Sequence, residues 1–173
     1  MKINEFPNEK NYELLAEDFP NINQDIMKSY LEYILICQKT IAKIESYLSK
    51  IEMTNSQFLI LLCLYTNDKK IDNITNISKK LGISTVTVSN VVKTLQIKGL
   101  VEKQKLKEDK RFSRVVLNKK GKDFMKNFIP EYYSKYKELF KTYDKEELLQ
   151  LQFLISKLNF SIDLMSGKEK FWW

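Results

Sequence analysis

The stretch from Asn73 to Arg114, NITNISKKLGISTVTVSNVVKTLQIKGLVEKQKLKEDKRFSR, decides how this chain is read. Ile74, Ile77 and Leu81 recur at helical spacing and predict a short helix over 74–81. Gly82 permits a tight turn after it. Ser84 is a good N-cap and begins a second helix that runs to about Lys98, with Val88, Val91, Val92 and Leu95 facing inward. Gly99 is placed to end that helix in the left-handed conformation. Leu100 to Leu106 and Phe112 to Leu117 read as two antiparallel strands, with Lys107 to Arg111 as the turn between them. Two short helices joined at a glycine, followed by strand, charged turn and strand, make a winged helix-turn-helix. That unit presents one helix to a groove of duplex DNA.

The charge pattern agrees. From Asn73 to Val101 there is no Asp or Glu, while Lys79, Lys80, Lys93 and Lys98 are present. Carboxylates on a surface that approaches phosphates would repel the backbone. The 173 residues carry a net charge of +7, unevenly spread. Residues 1–25 hold six acidic and two basic side chains, and residues 84–114 hold eight basic and three acidic. The positive charge is gathered on the candidate reading unit, which points to a polyanionic partner.

Composition argues against several other classes. Histidine is absent, which removes the commonest zinc ligand and the usual general base near neutral pH. With no nucleophile motif and no glycine-rich phosphate loop, the chain reads as a non-enzyme without cofactor or metal. Cys37 and Cys63 are the only cysteines and form no C-x-x-C. A disulfide framework is not expected, and a reducing compartment fits. Met1 to Lys10 is polar and has no signal-peptide core. The longest apolar run, Phe58 to Tyr65, is too short to span a bilayer. We expect a cytoplasmic protein with no membrane contact.

Long helices flank the reading unit. Residues 1–23 form an N-terminal arm, irregular or partly helical. A helix over about Gln24 to Lys50 carries the stripe Met27, Tyr30, Ile34, Cys37, Ile41, Ile44 and Leu48, so residues 24–53 form a dimerisation helix. Thr54-Asn55-Ser56-Gln57 is a capping box that starts a helix to about Thr66. Asn67 to Asp72 reads as a polar turn, and the winged helix-turn-helix domain covers 54–118. Asn118 caps a helix to about Thr142, with Pro130 expected to kink or break it. Asp144 opens a last helix with the stripe Leu148, Leu151, Ile155, Leu158, Ile162 and Met165. Residues 119–166 are thus C-terminal dimerisation helices, and 167–173 is a tail ending in Phe171-Trp172-Trp173. A helical bundle shared between two copies is the simplest way to bury three such stripes.

These pieces, in this order and spacing, resemble the multiple-antibiotic-resistance regulator (MarR) family of bacterial transcription factors over about Gln24 to Met165. They are the Thr54-x-x-Gln57 helix start, Ile77-Ser78-Lys79-Lys80-Leu81-Gly82-Ile83-Ser84, and Leu95-x-x-Lys98-Gly99-Leu100-Val101-Glu102-Lys103. The wing tip Asp109-Lys110-Arg111 and Leu117-Asn118-x-Lys120-Gly121 complete the set. The resemblance implies a mainly α fold with a small β-hairpin wing. It implies a winged helix-turn-helix domain joined to a helical dimerisation bundle from the N- and C-terminal helices. It also implies a homodimer that regulates transcription, as a repressor, on a palindromic double-stranded DNA operator. Members of the family often place Arg near the positions of Asn90 and Thr94; this chain has Arg at neither, which shifts weight to hydroxyls, Lys93 and the wing.

Ser84, Thr85, Val86 and Thr87 lie at the end of the second helix that would enter the groove. Thr85, Thr87 and Asn90 offer hydroxyl and amide groups to base edges, and Val86 offers contact to a thymine methyl. Ser89 and Lys93 suit the backbone. At the wing, Asp109 can hold the Arg111 guanidinium in one rotamer for the minor groove, while Lys107, Lys110 and Arg114 add phosphate contacts. Read blandly, the same residues are a polar helix face and a solvated hairpin. Some relatives sense peroxide through a cysteine at the start of the first long helix. Cys37 lies mid-helix inside the apolar stripe, so redox response through Cys37 is the lesser alternative. Relatives also bind small aromatic anions, and nine Tyr and ten Phe leave room for an aromatic or anionic ligand, though no pocket is identified. A further alternative is a protein-interaction dimer of the same fold with weak or no DNA binding.

Overall fold

The computed structural model describes residues 9–105 and 113–166. In chain order the elements are α1 (Glu9–Asp18), α2 (Gln24–Ser49), α3 (Asn55–Thr66), β1 (Ile71–Asn73), α4 (Ile74–Leu81), α5 (Thr85–Ile97), β2 (Val101–Lys105), β3 (Ser113–Leu117), α6 (Lys119–Leu139) and α7 (Lys145–Ser166). The fold is mainly helical with one small antiparallel sheet, in the order β1-β3-β2. Contacts divide it into two compact units, Met1–Lys122 and Asp123–Trp173.

The first unit is built around α3, whose start is fixed by the expected capping box. The Gln57 amide donates to Thr54 Oγ1 at 3.2 Å, and the Thr54 amide donates to Gln57 Oε1 at 3.3 Å. Its run of apolar residues leaves no polar face, so Phe58, Ile60, Leu61 and Leu64 are all buried. Ile77 of α4, Val88, Val92 and Leu95 of α5, and Val115 and Leu117 of β3 complete that core. Gly82 caps α4 at φ 64°, and the Ser78 hydroxyl donates to the Ile83 carbonyl at 2.6 Å across the turn into α5. Gly99, at φ 68°, ends α5 as expected.

The sheet differs from the expected hairpin. Residues 71–73, the first two of them read as part of a turn, form a third strand paired with β3 as Ile71↔Val116, Asp72↔Val115 and Asn73↔Arg114. Three residues are too few to show an alternating pattern, and Asp72 and Asn73 carry turn chemistry. Asp72 is nonetheless buried and bonded to Lys80 Nζ at 2.7 Å. Burial, the largest influence, pushes its carboxyl up. Hydrogen bonds from Lys80, the Asn73 amide and the Asn76 side chain outweigh it and hold the group below the usual carboxylate range.

At the foot of the sheet Asn118 does two jobs. Its Nδ2 donates to the Gly99 carbonyl at 3.0 Å, and its Oδ1 accepts the Gly121 amide at 2.9 Å, opening α6. The N-terminal arm contains α1, which packs on α2. The α2 stripe is fully buried only at Leu48; Tyr30 and Ile41 are exposed and Cys37 is half-buried.

In the second unit α6 continues through Pro130 to Leu139, three residues short of the expected end. An i, i+4 ladder of rings runs along it: Phe124 on Phe128 at 5.3 Å, Phe128 on Tyr132 at 5.7 Å, and Tyr132 edge-on to Tyr136 at 4.5 Å. A reciprocal capping box between Asp144 and Glu147 starts α7, at 2.8 and 2.9 Å. Leu149, Phe153, Leu154, Phe160, Leu164 and Met165 are exposed along it. Among the described residues, no helix is long and apolar enough to cross a membrane.

Candidate nucleic-acid interface

The helix-turn-helix supports α5 from behind. Val88, Val92 and Leu95 are wholly buried, which turns the opposite face outward. Thr85, Val86, Thr87, Asn90 and Lys93 are exposed on that face, and Ser89 is half-buried. Val86 is 68% exposed and Ile97, at the far end of the helix, 87%. The face carries no acid, and Ser84 caps its leading end.

Two side chains on that face are already engaged. The Thr87 amide donates to Ser84 Oγ at 3.0 Å, and the Ser84 and Thr87 hydroxyls share a hydrogen bond at 2.8 Å. Thr87 therefore stiffens the cap, and any base it reads must share its hydroxyl. Thr94 Oγ1 donates back to the Asn90 carbonyl at 3.2 Å and leaves the Asn90 side chain facing out.

Arg114 is exposed on β3, opposite Gln104 of β2 and Asn73 of β1. Lys107, Asp109, Lys110 and Arg111 lie outside the described residues. A cleft that motif reading missed, of about 260 Å³, joins Arg114 to Lys69, Asn73 and Asn76. No sequence signal marks it, because its members come from a turn, two strands and a helix start.

The cysteines stand apart from this face. Cys37, midway along α2, is half-buried and engages the Tyr33 hydroxyl, whose pKa is raised by that hydrogen bond. Burial pushes the Cys63 thiol up, against the lowering influence of Lys80. In the second unit a cleft of about 530 Å³ at the α6–α7 elbow is lined by Tyr136, Phe140, Tyr143 and Ile155, with Lys137 and Lys141 among its walls. Burial, then the hydrogen bond with Tyr132, keeps the Tyr136 hydroxyl protonated well above the ordinary tyrosine range. Apolar rings beside ammonium groups suit an aromatic anion.

A sequence model of the MarR family matches residues 53–112. The HTH-type transcriptional repressor YetL of Bacillus subtilis (strain 168) is 24% identical over 147 residues, covering 85% of this chain and 88% of YetL. The crystal structure of the S. aureus MepR–DNA complex superposes with a TM-score of 0.68 at 25% identity, over 77% of this chain and 96% of MepR. AbsC, a MarR family transcriptional regulator from Streptomyces coelicolor, has the same fold, with a TM-score of 0.74 at 15% identity over 82% of this chain and 97% of its own.

Proposed function

We propose that the chain is a DNA-binding transcriptional regulator of the MarR family, whose model its residues 53–112 match, and that it acts as a homodimeric repressor on a palindromic operator. Each copy would seat one α5 in the major groove and one wing beside it. The observation that carries the reading is the outward face of α5, exposed, free of acid and rigidly backed. On it Thr85, Val86, Thr87 and Asn90 meet base edges, while Ser84, Ser89 and Lys93 meet the backbone. At the wing, Arg111 enters the minor groove, oriented by Asp109, and Lys107, Lys110 and Arg114 meet phosphates.

Selection from a random DNA pool tests this directly. The expected product is an inverted repeat whose half-sites lie about one helical turn apart. A pool without enrichment would favour the protein-interaction dimer, which the missing arginines at Asn90 and Thr94 also suit. Release of the repressor by an aromatic anion is the remaining part of the proposal. It is supported by the elbow cleft with Lys137 and Lys141, and an operator titration in the presence of benzoate checks it.

A further inference from the structure

The cleft between β1, β3 and the start of α4 is donor-rich by construction. Lys69 and Arg114 are its cations, both exposed, and among the described residues neither is in an ion pair. Asn67 and Asn73 also line it, and their orientation is fixed by the bonds they accept. Asn67 Oδ1 takes the Lys69 amide at 3.1 Å, and Asn73 Oδ1 takes the Asn76 amide at 2.8 Å. With each carbonyl oxygen held by a backbone N–H, the remaining polar group of each side chain is the NH2. The one carboxylate in the wall, Asp72, is 8% exposed and saturated by Lys80, the Asn73 amide and the Asn76 side chain. Its charge is spent inward, so the opening is left to cations and amide donors.

The position of the cleft is equally specific. Asn73, the last residue of β1, pairs with Arg114, and β3 begins one residue earlier at Ser113, the first described residue after 106–112. The cleft therefore lies at the wing end of the sheet, on the edge away from β2, where the chain passes into the helix-turn-helix. We propose that this cleft binds one phosphodiester of the operator backbone, held jointly by Lys69 and Arg114 with Asn67 and Asn73. It would fix the register of the wing against the duplex. The inference rests on the DNA-binding reading above and adds to it a phosphate subsite with Lys69, Asn67 and Asn73 as new members.

The same donors suit free phosphate, so the test separates the two sources. Fluorescence anisotropy on the selected operator is measured over a range of salt for the parent protein, Lys69→Ala, Arg114→Ala and the double variant. If both cations serve one phosphate in each half-site, the double variant loses about two units of salt slope on the operator, one per protomer, and no more than either single variant. A loss of about four units would place the cations on separate phosphates, and an unchanged slope would remove them from the interface; either overturns the cleft. Asn73→Asp keeps the helix cap, since both residues cap well, but turns a donor into a carboxylate. It is expected to weaken operator binding about tenfold or more, and unchanged binding would overturn the donor role. Inorganic phosphate at constant ionic strength is expected not to compete with the operator. Competition that vanishes in the double variant, with the salt slope unchanged, would assign the cleft to a free anion. A parent protein that binds no DNA at any salt would sink the regulator reading itself, a different result from an operator bound equally by parent and variants.

Discussion

A single methyl group at position 121 would meet the Leu100 carbonyl oxygen at 2.1 Å and Leu117 Cδ1 at 2.9 Å. Alanine ordinarily gains up to about 1 kcal/mol over glycine inside a helix. Here the obstacle is backbone, which cannot rotate away, and overpacking of this kind costs about 1–3 kcal/mol or more. The second effect wins, so Gly121→Ala is expected to lower the urea midpoint rather than raise it. Asp72 gives a prediction with a pH window. Its carboxyl sits below the usual range in the folded chain, so its contribution is present above the unfolded value of about 3.9 and is lost as pH falls through the lower folded value. A hydrogen bond to a charged group is worth about 1.5–3 kcal/mol, and Lys80 is 50% exposed, which screens the pair. Asp72→Asn should therefore cost about 1–2 kcal/mol at pH 7. The gap between variant and parent should narrow below about pH 4, as urea titrations at both ends of the window would register; a constant gap would mean the carboxylate charge contributes nothing.

At the scale of elements, the proposed function divides the work unequally between the wing and α5. With Asn90 and Thr94 where relatives often place arginine, α5 brings Lys93 as the one cation on its reading face. The salt dependence of binding should then come largely from the wing and its base. Arg111→Ala is expected to weaken operator binding and reduce the salt slope by about one unit per protomer, while a titration at several salt concentrations that finds both unchanged would remove Arg111 from the interface. How much of this was legible beforehand depends on length and periodicity. The α5 boundaries, the Ser84 and Thr54 caps and the Gly82 and Gly99 turns were all readable, because each is a local decision made by residues within one turn of it. β1 was not, because a three-residue polar strand exists only through its partner β3. The cleft beside it was missed for the same reason, since Lys69 and Arg114 are neighbours only after β1 and β3 pair. The Ser84–Thr87 hydroxyl pair lay between these cases: the cap was visible, but the claim it makes on a candidate base-reading hydroxyl was not.

On the scale of the whole molecule, the question is what covers α7. Leu149, Phe153, Phe160 and Leu164 lie along one side of it, and Leu151, Ile155, Leu158 and Ile162 along another. A helix apolar on so many sides is normally enclosed, yet Phe153 is 67% exposed and Phe160 64%. A soluble chain seldom leaves so continuous an apolar surface open. Covering these eight side chains on each of two copies, roughly halved for their partial exposure, yields on the order of 10–25 kcal/mol. Losing translational and rotational freedom costs about 4–15 kcal/mol, a loss of the same order, so the dimer proposed above needs most of this surface covered. Phe153→Glu with Leu164→Glu keeps good helix formers while placing four carboxylates in the pair of helices. Light scattering should then report half the parent mass. Operator affinity should fall by about 10²–10⁴, the factor that linking two half-site contacts supplies, while affinity for an isolated half-site stays near that of one lobe of the parent. A variant that remains dimeric and binds as the parent does would take α7 out of the interface. A monomer that kept full operator affinity would show that one lobe suffices, and the paired-helix account of DNA recognition would have to be abandoned.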